Sequence, residues 1–137
     1  MVRLDKGESM SKKIRIIVSS IGIVSAEIDN RRNKKTANAV WEALPIRGEV
    51  NRWGDEIYFS IPVEVEEENS QQVVEVGDLG YWPPGHAFCV FFGKTPVSVG
   101  DEPRAYSPVN VFGKVTGDPK IFTRVRSGEK ITIEREA

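Results

Sequence analysis

Apolar and polar side chains alternate over short stretches through most of this chain. Residues 13–19 place Ile14, Ile16 and Val18 on one face of an extended segment, the period-two pattern of a half-buried strand. Gly22 turns the chain into a second run, 23–28, and the pair predicts an opening hairpin. The period then changes once. After the polar loop 30–35, Ala37, Val40, Trp41 and Leu44 recur at helical spacing, with Thr36 placed to cap the free amides. Pro45 stops this helix, because proline has no amide proton and disfavours helix in the residue before it. So short a helix is marginal alone. It is expected to dock through Val40, Trp41 and Leu44, with Trp41 as its main anchor.

Everything after Pro45 reads as β structure. Runs 49–53 and 56–65 flank Gly54-Asp55, a tight-hairpin signal. Runs 72–76, 81–82, 87–92, 109–115, 121–125 and 131–134 follow, separated by Gly, Pro, Asp and Ser. Many short strands with one helix predict a mainly β domain, an antiparallel barrel or sandwich. Residues 1–11 are polar and unpatterned and are expected to form a flexible N-terminal extension, in which Met10 offers an alternative start. The single domain is assigned to 12–137.

Composition narrows the function. With 137 residues the chain suits one core, and its formal net charge of -1 lacks the basic excess that phosphate binding demands. Lys12, Lys13 and the basic 31–35 cluster are answered by the acidic run 64–68, and both read as solvated segments. The one cysteine excludes an intramolecular disulfide. The longest apolar run, 87–92, is far short of the roughly 20 residues that cross a bilayer. A cytoplasmic protein with no nucleic-acid or membrane partner is expected. Abundant Lys, Arg, Glu, Ile and Val with little Cys and Met would suit a thermophile.

The candidate chemistry is concentrated in GDLGYWPPGHAFCVFFGKTP, residues 77–96, which holds the chain's one histidine and one cysteine. Three residues apart on a strand, His86 and Cys89 face opposite ways, so they form neither a metal site nor a nucleophile pair. Cys89, between Phe88 and Val90, reads as a small core residue with a raised thiol pKa. Asp78, Asp101, Glu102 and the acidic run define no acid–base pair, and Asp78 after Gly77 reads as a turn residue. No catalytic residue, metal or cofactor is assigned. The unbroken apolar run 87–92 predicts a strand covered on both faces, on one side by the sheet interior and on the other by helix, loop or ligand. Tyr81 and Trp82, beside the rigid Pro83-Pro84-Gly85 turn, suit the rim of a partly wet pocket.

The segments WGDEIYFSIPVEVE at 53–66, VGDLGYWPPGHAFCVFFGKTP at 76–96, TANAVWEALP at 36–45 and SPVNVFGKVTGDPKIFTRVRSGEKITIE at 107–134 resemble the cyclophilin-like proteins of archaea and bacteria, a small family of largely unknown function. The resemblance implies a closed antiparallel barrel of about eight strands, with one capping helix here. True cyclophilins are prolyl isomerases, and their V-F-G-K-V recurs as Val111-Phe112-Gly113-Lys114-Val115. Laying Gly85-His86-Ala87-Phe88 on their S-Q-F-F puts Phe88 at their proline pocket and His86 in place of a glutamine. Phe59 then stands where the catalytic arginine belongs, Glu75 replaces another glutamine, and Arg104 and Val109 replace the pocket tryptophan and histidine.

With those donors gone, transition-state stabilisation should be lost even if the slot remains. The expectation is therefore a non-catalytic or weakly catalytic binding module. Its groove, formed by Tyr58, Phe59, Tyr81, Trp82, His86, Phe88 and Arg104, would take a peptide or small organic ligand. A rewired prolyl isomerase is the enzymatic alternative. A homodimer that buries the exposed aromatics Tyr81 and Trp82 is the structural one.

Overall fold

In a computed structural model that describes residues 11–136, the opening hairpin forms as its alternation dictates. Strands β1 (Ser11–Val18) and β2 (Gly22–Asp29) pair antiparallel with Ile16 opposite Val24, and Ile14, Ile16 and Val18 are fully buried. Residues 1–10 of the expected extension lie outside the described residues, and Ser11 already belongs to β1. Helix α1 (Lys34–Ala43) ends just before Leu44-Pro45. The strands β3 (Ile46–Glu49), β4 (Asn51–Arg52) and β5 (Glu56–Ser60) come next, and Trp53 and Glu56 exchange both backbone hydrogen bonds across the β4–β5 turn. Then follow β6 (Gln71–Val73), β7 (Asp78–Trp82), β8 (Ala87–Phe91), β9 (Arg104–Val115) and β10 (Lys130–Arg135).

Three expectations are corrected. The run 56–65 is strand only to Ser60. The run 121–125 is no strand: residues Pro119–Arg124 form a 3-10 helix, because the Asp118 side chain accepts from the Lys120 amide and Pro119 has none to donate to a ladder. The helix also docks differently. Its buried positions are Thr36, Ala37 and Val40, followed by Leu44, whereas Trp41 is half-buried with Lys12 Nζ 4.9 Å and the Arg135 guanidinium 4.7 Å from its ring. The indole still packs against the main core, but only as a partly buried side chain with those two cations on its ring.

Thr36 does not cap the helix with its side chain either. Glu68, 32 residues further on, accepts from the Thr36 amide (3.0 Å), the Thr36 hydroxyl (2.8 Å) and the Lys35 amide (3.1 Å). Asn110 of β9 completes a clamp. Its Oδ1 accepts from the Glu68 amide, and its Nδ2 donates to Thr36 Oγ1 and to the Glu66 carbonyl. Burial of these polar groups is tolerable because each finds a partner.

All paired strands run antiparallel in a ten-stranded sheet of order β3-β10-β1-β2-β9-β7-β8-β5-β4, with β6 added on β9. The expected mainly β antiparallel fold with one helix is present, but it has ten strands rather than about eight, and hydrogen bonds do not close the ladder between β3 and β4. Those two end strands are nevertheless consecutive in the chain, with only Val50 between them. The Val50 amide donates to the Glu129 carbonyl, and its own carbonyl accepts from Gly128. One face of the sheet carries the main core, including Ile14, Ile16, Ile57, Leu79, Phe88 and Phe112. The other face carries a second, smaller cluster of Val74, Ala87, Cys89, Phe91, Ala105, Val109 and Val111.

Candidate functional site

Five consecutive buried residues on β8 divide between the two faces by strand alternation. Phe88 and Val90 enter the main core, whereas Ala87, Cys89 and Phe91 join the second cluster. Strand β5 divides in the same way: Ile57 and Phe59 face the main core, which leaves Glu56 and Tyr58 on the face of Cys89 and Phe91. There a pocket of about 360 Å³ opens, lined by Trp53, Glu56, Tyr58, Trp82, Ala105, Tyr106 and Val109.

Small residues allow these walls to approach. A Cβ at Gly80 of β7 would lie 2.9 Å from Val109 Cγ2 and 3.3 Å from the Phe91 ring, so only glycine lets β9 settle this close. Trp82 is fixed at both ends. Its Nε1 donates to Ser107 Oγ at 2.7 Å, and its ring lies so near Gly85 that a Cβ there would meet it at 2.6 Å. Tyr106 stands edge-on to both indoles, 6.1 Å and 89° from Trp82 and 6.1 Å and 75° from Trp53, and remains 69% exposed. Such edge-to-face contacts are a favoured aromatic geometry.

The polar member of the site is Glu56. It is only 6% exposed, and its Oε1 has no hydrogen-bond partner. Burial pushes its carboxyl up to about 7, with the neighbouring Cys89 thiol acting weakly the other way. Cys89 is itself raised well above the usual thiol range, first by burial and then by Glu56. Its small-core reading stands, and at neutral pH it is no nucleophile.

Of the seven groove residues expected from the sequence, Tyr58 and Trp82 line this pocket. Phe59, Tyr81 and Phe88 do not, because each lies one residue out of phase with the pocket face. The Phe59 and Phe88 rings stack at 5.4 Å, Phe112 meets Phe88 edge-on at 5.3 Å, and all three are buried. Tyr81 is fully buried and its hydroxyl donates to the Val63 carbonyl, so it cannot join Trp82 in a surface dimer patch. His86 takes a left-handed conformation (φ 48°) closing the Pro83–Gly85 turn, with its half-exposed imidazole 3.9 Å from Glu64. Arg104 pairs with Glu102 at 3.2 Å. Neither lines the pocket.

Trp53, Glu56 and Tyr106 were missed. The signal for Glu56 was present, since it sits two residues before Tyr58 on one strand face. Tyr106 was hidden because β9 begins at Arg104, five residues before the apolar run that predicts it. Asp78 is a buried turn residue as expected, its Oδ2 accepting from the Glu75 amide. Among the described residues no three His, Cys, Asp or Glu side chains converge as metal ligands, and no helix is long and apolar enough to cross a membrane.

The family profile described as Cyclophilin-like matches residues 12–134. The solution structure of a hypothetical protein from Archaeoglobus fulgidus is similar to this chain, with 39% sequence identity and a TM-score of 0.79, the alignment covering 97% of this chain and 100% of that one. No curated protein matches. The profile runs from β1 into β10, and on that match the chain belongs to the cyclophilin-like family.

Proposed function

We propose that this protein is a binding module that takes a small organic ligand in the pocket between β5, β7 and β9. The carrying observation is the convergence of Trp53, Tyr58, Trp82 and Tyr106 around one concave space of about 360 Å³. That size and an apolar wall with a single ionisable acid fit the usual form of a small-molecule site, roughly 300–1,000 Å³. The scaffold acts as a cyclophilin-type barrel in this reading, its two ends joined through the chain at Val50 rather than by a hydrogen-bond ladder. The pocket differs from the prolyl slot expected at Phe88, whose ring is fully buried.

A panel of small amines, alcohols, acids and heteroaromatics tests the reading by nuclear magnetic resonance. A ligand should shift the indole N–H signals of Trp53 and Trp82 while leaving Trp41 unmoved. Trp82→Ala should weaken that ligand by about tenfold or more, as expected for a large aromatic contact in a pocket. Binding of unchanged affinity in Trp82→Ala would place the site elsewhere and overturn the proposal.

A further inference from the structure

We infer that the occupant of this pocket is a small organic cation, a substituted or quaternary ammonium that lies against the aromatic faces with the Glu56 carboxylate behind it. The inference rests on the pocket reading above and adds the chemical class.

Three observations converge. First, among the described residues Glu56 is the only charged side chain lining the pocket. Second, its Oε1 is buried without a partner, and no protein cation answers it. Arg52, the nearest arginine in sequence, is committed to Asp55, to the Gly54, Thr123 and Val125 carbonyls, and to the Phe92 ring. Arg104, on the strand that supplies Tyr106, is held by Glu102. A buried ionised carboxyl without a counter-charge is costly, and a cation seated in the pocket would supply that charge. Third, four aromatic side chains surround the same space, and the negative faces of such rings attract cations, quaternary ammonium groups above all. An anion would meet repulsion from the ionised Glu56, and a neutral ligand would leave that charge unmatched.

The titration behaviour follows from the same geometry. Burial holds the free carboxyl near 7, so it is largely protonated in mild acid and ionised in mild base. A permanently charged ligand favours the ionised form and draws this pKa down, so its affinity rises with pH. The titratable group beside Glu56 is the Cys89 thiol from β8, and Tyr58 and Tyr106 line the same pocket from β5 and β9. Among the described residues no lysine, arginine or histidine lines the pocket.

The experiment titrates the intact protein with choline and with dimethylbutanol, its neutral carbon isostere, following the indole N–H signals of Trp53 and Trp82. At about pH 8 choline should bind at least about tenfold more tightly than the alcohol, and the gap should shrink at about pH 5.5. Glu56→Gln should reduce the preference by at least about threefold and remove its pH dependence, the aromatic faces retaining the remainder. Equal or tighter binding of the alcohol by the parent protein would overturn the cation assignment and leave the pocket reading intact. If choline moves neither indole, the cation assignment falls, and the wider ligand panel decides the pocket reading separately. A trimethyllysine peptide that binds about tenfold more tightly than choline would place the cation on a protein partner and overturn the small-molecule source.

Discussion

In Glu56 the unfolded chain has a carboxyl of ordinary pKa, 4.5, which folding moves to about 7. The folded state therefore holds the proton more tightly, and between those values stability must fall as pH rises. The full stability is present below about pH 4.5 and is lost progressively up to the folded pKa, with a total near 3 kcal/mol at 1.36 kcal/mol per unit. Glu56→Gln, which cannot ionise, should remove this slope and be the more stable protein at about pH 8, while matching the parent near pH 4. Urea unfolding of both proteins at the two pH values measures it; parallel pH profiles would mean that Glu56 is not the buried acid. The same residue shows the limit of reading side chains from sequence. Alternation separates Tyr58 from Phe59 and Cys89 from Phe88 in strand phase, but which phase faces a pocket and which a core depends on what covers each face.

Among the elements, α1 depends least on its own sequence. Its first turn contains no acidic residue and its N-cap Asn33 makes no side-chain capping bond: its Nδ2 donates to the Val111 carbonyl of β9, and its Oδ1 accepts from no helix amide. The acceptor for the first turn is Glu68, whose carboxyl is held below its usual range: partial burial pushes it upward, but the Thr36 and Lys35 hydrogen bonds outweigh that push. Glu68→Ala should therefore cost about 1–2 kcal/mol, the scale of losing a good cap. A change of less than about 0.5 kcal/mol in denaturant unfolding would show that water replaces it fully. The hairpins β1–β2 and β4–β5 were legible because Gly22 and Gly54 supply their left-handed turns locally, at φ 81° and 62°. The helix at Pro119–Arg124 was not. Ile121, Phe122 and Val125 look like a strand, and the decision falls to Asp118 and Pro119 just before them.

For the molecule as a whole, the segments 36–45, 53–66, 76–96 and 107–134 made the family legible, whereas the active slot of a prolyl isomerase did not follow from it. A fold carries no activity by itself. With Phe88 enclosed by Phe59 and Phe112, a proline-containing peptide should isomerise at nearly its uncatalysed rate in a protease-coupled assay. Acceleration comparable with a true cyclophilin, retained in Trp82→Ala and lost in a folded Phe88→Leu variant, would establish the enzyme reading. The open ladder between β3 and β4 was beyond reach of the sequence, since nothing local in the run 49–53 shows that Val50 bonds to Gly128 and Glu129 and divides it. The clamp of Glu68 and Asn110 on the helix start has one more consequence, and it concerns time. Thr36 meets groups 32 and 74 residues downstream, so the first turn of α1 gains its partners only when β9 is in place. Contacts that close such long loops are made late. Loss of the Glu68 carboxylate should consequently appear as faster unfolding with the refolding rate almost untouched, because the helix locks onto a sheet that has already assembled.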